Sequence, residues 1–214
     1  MSWRSHPWAG VFAATLCPFH EDESIDEQGL RSYIADVASV PGIEGVTCNG
    51  HTGEVMSLRP QERAQVTAIV SETVQAEAPD CKVISGVSAE GSLEAMDHAL
   101  EAKAAGADAI LLISELLDDV RLKEMAELAD ELGLTTLVEV HDLDNLVRVR
   151  PLIHGQRLLG VNNRNLRTMT TDLAHIEDLI EHLRDLMDVL ICESGINTPA
   201  DIERLGRHGI HRFL

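Results

Sequence analysis

The chain has 214 residues, with 17 Lys and Arg against 36 Asp and Glu, a formal net charge of −19 and 3% aromatic residues. That charge argues against a nucleic-acid or anionic-membrane partner, since phosphate binding needs basic side chains to displace counterions, and the aromatic content argues against a stacking platform for single strands. Hydrophobic content of 44% and charged content of 25% allow a sizeable core. Strand-like apolar runs follow one another along the chain: "GVFAATL" (10–16), "IEGVTC" (43–48), "KVISGV" (82–87), "DAILLI" (108–113), "TTLVEV" (135–140), "RLLGV" (157–161), "VLICES" (189–194) and "HRFL" (211–214). Amphipathic stretches lie between them. Val66, Ile69, Val70 and Val74 form one helical stripe, Leu122, Met125, Ala126, Ala129 and Leu132 a second, and Leu173, Ile176, Leu179, Ile180 and Leu183 a third.

The residues between the runs agree with this division. Asp26, Ser92, Asp142 and Thr198 stand where N-caps belong, Pro199 at a first helical position, and Gly106, Gly133 and Gly209 where a helix ends in a left-handed residue. Apolar strands alternating with helices imply a parallel sheet covered by helices, and eight strands with seven intervening helices predict a (β/α)₈ TIM barrel formed as one domain over 1–214. An open doubly wound sheet is the alternative. The eighth strand starts at His211 and the sequence given stops at Leu214. The expectation is a barrel cut short in strand 8 with helix 8 missing, leaving edges at strands 8 and 1 that invite self-association.

No apolar run approaches the length of a membrane span, and the opening "MSWRSHPWAGVF" lacks the apolar core of a secretory signal. Cys17, Cys48, Cys81 and Cys192 form no C-x-x-C pair and read as small core residues of a cytoplasmic protein.

In a barrel the chemistry sits at the C-terminal strand ends. Polar residues gather there: "NGHTGE" (49–54), "VEVH" (138–141), "NNRN" (162–165) and "ESG" (193–195). Glu139 and Glu193, with Asn162 and Arg164 between them, suit proton transfer on an anionic substrate; the plainer reading is a polar plug in which the carboxylates pair with Arg164. The turn with His51 and Thr52 either cradles a substrate carboxylate or is a tight turn with Gly50 and Gly53 at positive φ and Glu54 as a cap. No spacing supports a metal site, no cofactor motif is present, and no Walker loop or nucleophile elbow occurs. His98, His154, His175 and His182 read as surface residues on helices. Lys82, Lys103 and Lys123 are the lysines of the chain, and none ends a strand.

Two resemblances follow from these motifs. "GVFAATLCPFHEDESIDEQGL", "GIEGVTCNGHTGEVMSLRPQER" and "KVISGVS" resemble the first three βα units of the dihydrodipicolinate synthase/N-acetylneuraminate lyase family. "GADAILLISELL", "GLTTLVEVHD", "LLGVNNRNLRT" and "ICESGINTPADI" resemble strands four to seven of indole-3-glycerol-phosphate synthase. The two imply a chimera of a 1–105 half and a 106–214 half, with the seam near "EAKAAGADA" (101–109).

The second resemblance implies a decarboxylating ring closure in tryptophan biosynthesis on a small phosphorylated substrate. It implies Glu139, Asn162 and Glu193 as catalytic, and Arg164, Ser194 and Gly195 as substrate-binding. That family's lysines on strands one and three and its phosphate loop after strand eight have no counterpart here, so impaired activity is expected. The first resemblance implies only a carboxylate-binding turn at His51 and Thr52, because its Schiff-base lysine on strand six is absent. The alternatives are a lyase of that first family and a non-catalytic barrel.

Overall fold

A computed structural model describes residues 6–88, 91–165 and 168–214. Eight parallel strands close into a barrel in chain order. They are β1 (Gly10–Ala14), β2 (Ile43–Cys48), β3 (Lys82–Gly86), β4 (Ala109–Ile113), β5 (Thr135–Val140), β6 (Arg157–Asn162), β7 (Leu190–Glu193) and β8 (Arg212–Phe213). Seven helices connect them: α1 (Glu27–Ala38), α2 (Pro60–Glu77), α3 (Ser92–Ala104), α4 (Asp119–Leu132), α5 (Leu143–Val149), α6 (Ala174–Leu183) and α7 (Pro199–Gly206). The (β/α)₈ expectation holds, with every strand within two residues of its predicted run.

Local chemistry explains most boundaries. Asp26, Asp142 and Thr198 accept from the backbone N–H of Gly29, Asn145 and Asp201, filling donors that a first helical turn leaves open. Gly133 ends α4 at φ 66°, where its N–H returns to Ala129 and Asp130. The expected cap at Ser92 is corrected: α3 begins at Ser92, so the N-cap position falls to Gly91, which makes no side-chain cap. Asp118, unremarked in the sequence, caps α4 by accepting from Arg121 N.

The expectation of open edges at strands 8 and 1 is also corrected. Although only two residues long, β8 pairs with β1 (Gly10 with Arg212, Val11 with Phe213) and with β7 (Cys192 with Phe213). Gly10 N donates to His211 O, Leu214 N to Cys192 O and Ser194 N to Leu214 O, so this short segment still bridges its neighbours.

Alternating strand residues build two apolar layers. Inside the barrel, Trp8, Phe12, Ile84, Leu111, Leu137, Leu158 and Ile191 pack together, with the Trp8 and Phe12 rings stacked at 5.6 Å. Outside, the strand–helix layer falls into two clusters. One runs from Cys17 to Val83, on α1, α2, β2 and β3; the other runs from Val87 to Phe213. The four cysteines are buried, and burial pushes the thiols of Cys48 and Cys192 up to about 11 and about 12, leaving them protonated and inert. Among the described residues no helix is long and apolar enough to cross a membrane.

Candidate active site

A cavity of about 400 Å³ opens at the C-terminal ends of the strands. Glu139, Asn162, Arg164, Glu193, Ser194 and Gly195 line one side of it, and His51 and Thr52 the mouth on the other. The structure thus brings all eight sequence-predicted site residues around one space.

The β5–β7 wall is built in register. Glu139 pairs with Gly160 across β5 and β6, and Asn162 with Glu193 across β6 and β7. Asn162 Nδ2 donates to Glu139 Oε1 at 2.7 Å, while Asn162 Oδ1 accepts from Arg164 N at 2.9 Å. The amide orientation is therefore fixed at both ends. Behind it, His141 Nδ1 donates to Asn162 O at 2.8 Å, and the His141 ring stacks on His175 with centroids 4.4 Å apart.

Glu139 and Glu193 are only 6% and 4% exposed and lie close enough to shift one another's titration. Burial pushes both carboxyls up. Glu193 is raised well above the ordinary carboxyl value, first by burial and then by the charge of Glu139. Burial raises Glu139 against the hydrogen bond it accepts from Asn162. Burial and mutual repulsion therefore both favour protonation of the pair over a state with two charges. Glu193 Oε1 is buried with no hydrogen-bond partner.

Arg164 is half-buried at the rim and, among the described residues, lies within ion-pair distance of no carboxylate. The polar-plug reading, in which the carboxylates pair with Arg164, is not what forms. Leu166 of the "NNRNL" motif and Arg167 lie outside the described residues.

The turn after β2 has a different basis from the one expected. Gly50 lies at φ −93°, and Gly53 is not at positive φ; the left-handed residues are Asn49 (φ 53°) and Glu54 (φ 54°). Asn tolerates that conformation, and here its side chain adds the reason. Asn49 Nδ2 lies 3.0, 2.9 and 3.1 Å from Arg63 O, Thr67 Oγ1 and Ser85 Oγ. Arg63 in turn donates to Ser88 O at 2.7 Å and meets His98 Nε2 at 3.2 Å. His98, expected at the surface, is buried because it faces Arg63 from α3. His175 is half-buried under His141 rather than exposed, and His154 lies in the turn after α5. His51 and Thr52 are exposed on the front of the turn this network holds. Among the described residues no group of three His, Cys, Asp or Glu is placed to hold a metal.

The sequence profile described as indole-3-glycerol phosphate synthase matches residues 96–214, more than half of the chain. The chain belongs to the indole-3-glycerol phosphate synthase family. It is 46% identical over 117 residues to an indole-3-glycerol phosphate synthase of Acinetobacter baylyi, covering 55% of this chain and 43% of that one. It is 42% identical over 114 residues to one of Albidiferax ferrireducens, covering 53% and 42%. The chain thus spans less than half the length of these curated relatives.

Solved structures resemble the whole barrel. N-acetylneuraminate lyase from Mycoplasma synoviae matches with TM-score 0.74 at 18% identity, over 97% of this chain and 68% of that one. Dihydrodipicolinate synthase from Rhodopseudomonas palustris matches with TM-score 0.63 at 21% identity, over 87% and 64%. At such identity these likenesses show the fold alone. From β1 the cavity is lined by Val11, Phe12, Ala13 and Ala14, and from β3 by Gly86. Gly86 has no room for a side chain, since an added Cβ would lie 2.1 Å from Asn49 O.

Proposed function

We propose that the cavity is an indole-3-glycerol-phosphate-synthase-like lyase site that keeps its acid–base and anion-binding side and turns over slowly. The observation that carries this reading is the buried Glu139–Glu193 pair, with Asn162 hydrogen-bonded to Glu139, and with Arg164, in no ion pair among the described residues, lining the same cavity. Ring closure with loss of CO₂ and then water needs a carboxylate that removes a proton and an acid at the substrate carbonyl. Glu139 fills the first role and Asn162 holds it in place. Arg164 meets the substrate's anthranilate carboxylate, and Glu193, Ser194 and Gly195 line the side toward its phosphate.

What is weak is the acid at the carbonyl. No lysine reaches the cavity: Lys82 opens β3 at the far end and pairs with Asp108 at 3.4 Å. The same absence weighs against a Schiff-base lyase, since β6 (Arg157–Asn162) carries no lysine. Loss of one positioned acid typically costs about 10²–10⁴-fold. Steady-state assay with the family's substrate, alongside calorimetric binding, tests the reading: binding with little turnover is expected, and no binding would favour a non-catalytic barrel.

We also read the chain as one barrel of two halves. The supporting observation is the family match, which begins at residue 96, close to the seam read near 101–109. His51 and Thr52, on the first half, would meet a carboxyl group of the ligand at the mouth.

A further inference from the structure

We propose that Gly160 is the positioning residue that lets the Glu193 side chain cross β6 and pair with Glu139. The role of that pair as acid–base centre rests on the functional reading above; its geometry does not.

The two carboxyls start from strands that are not neighbours. Glu139 belongs to β5 and Glu193 to β7, with β6 between them. On the inner face of β6 the residues are Leu158, Gly160 and Asn162, and Gly160 stands level with Glu139. A Cβ built on Gly160 would lie 1.7 Å from Glu193 Oε1 and 2.8 Å from Glu193 Cδ, so the carboxyl occupies the space any side chain would need. Leu137 Cδ1, 3.2 Å from the same point, crowds it from the β5 side.

The backbone offers no other reason for glycine. Gly160 is not among the residues at positive φ, and a glycine inside a strand weakens it. Close approach of another group is the remaining explanation, and the group is Glu193. Among the described residues Glu193 Oε1 has no hydrogen-bond partner, so the gap at Gly160 is what admits the carboxyl at this point.

The test is a pH titration of ¹³C-labelled glutamate carboxyls by NMR in the full chain, with Glu193→Gln to assign the pair. The unaltered protein should show two well-separated steps belonging to the pair. Gly160→Ala should draw them together by about one pH unit, a tenfold change in the equilibrium constant. An unchanged separation in Gly160→Ala, or no elevated step in the unaltered protein, overturns the proposal. A merely structural role is separated by thermal unfolding of Gly160→Ala, Glu193→Ala and the double variant. Gly160→Ala should lower Tm when Glu193 is present and cost little once Glu193→Ala has removed the clashing atoms. Equal losses in both backgrounds, or a double variant that does not fold, would also overturn it. None of these readouts needs a substrate, so absent turnover bears on the functional reading alone.

Discussion

The two walls of the cavity bury different kinds of polar group. Behind the β2 turn, Asn49, Arg63, Thr67, Ser85 and His98 form a buried network in which the Asn49 amide and the Arg63 guanidinium make several hydrogen bonds, and the residues facing the cavity are a turn and small side chains. At β5–β7 the buried groups are ionisable carboxyls, whereas the partners around Asn49, Thr67 and Ser85 are neutral. Among the described residues both walls leave buried oxygens without a partner, Thr47 Oγ1 and Asn49 Oδ1 on one side and Glu193 Oε1 on the other. A buried ionisable group costs far more than a buried neutral one, so the second wall is where a ligand's charge acts most strongly, while the first serves as scaffold. Chemistry follows the ionisable wall.

The largest expected effect comes from giving the scaffold wall an acid. Ala14 is exposed, lines the cavity, and shares the inward face of β1 with Phe12. Ala14→Lys should raise kcat on the family's substrate by up to about 10²–10⁴-fold, the usual worth of a positioned acid. No gain, with binding intact, would show that the scaffold wall fails through shape rather than chemistry. Gly86 is no substitute site, because Asn49 O occupies the space.

Next in size is damage to the network. Asn49→Ala removes hydrogen bonds to three buried partners and leaves Ala at φ 53°, so a loss of about 1–3 kcal/mol is expected in urea unfolding. That loss should be nearly the same at pH 5 and pH 8, since Asn49, Thr67 and Ser85 do not titrate. A strong pH dependence would mean that His98 governs the network.

Arg164→Ala should leave stability within about 0.5 kcal/mol, since no ion pair is broken. The same change should weaken binding of an anthranilate-type carboxylate about tenfold, the equivalent of roughly 1.4 kcal/mol and near the low end of a charged hydrogen bond. Calorimetry on the ligand and a melting curve on the protein check both halves of this statement.

The smallest effect is the one whose sign separates the walls. The folded state raises the pKa of Glu193, chiefly by burial, so it favours the protonated form. That preference costs nothing below the unfolded pKa of about 4.3, and the cost grows as pH rises toward and through the folded value. Glu193→Gln should therefore stabilise the protein more at pH 8 than near pH 4, as read by urea unfolding at the two pH values. Equal effects at both pH values would mean that Glu193 ionises freely in the fold.

Much of this was readable beforehand, and the boundary is physical. Continuous apolar runs such as "DAILLI" and "TTLVEV" predict buried parallel strands because both faces must be covered, and Asp26, Asp142 and Thr198 are caps because the chemistry is local. What escaped depends on partners far along the chain. His98 has helical spacing suited to the surface, yet faces Arg63, 35 residues earlier. The left-handed turn residues are Asn49 and Glu54 rather than the glycines, because Asn49 is anchored to α2 and β3. Gly160 left one signal, a glycine interrupting the apolar run "RLLGV", but its meaning needed the position of Glu193. The residues around the cavity were legible because strand ends are known positions in a parallel barrel; the reach of Glu193 across Gly160 was not.

The divided outer layer also bears on how the barrel opens. The cluster from Cys17 to Val83 packs α1 and α2 onto β2 and β3, and its buried contacts are made within that segment. The inner layer, by contrast, draws on Trp8, Phe12 and Ile84 together with Leu111, Leu137, Leu158 and Ile191. Cooperative units of local unfolding tend to follow such contiguous packing. The α1–α2 layer should then exchange its amide hydrogens as one block, before the amides of β4, β5 and β6, and expose the scaffold wall to solvent while the Glu139–Glu193 wall stays closed. On that expectation, hydrogen exchange should protect the wall with the buried carboxyls longest.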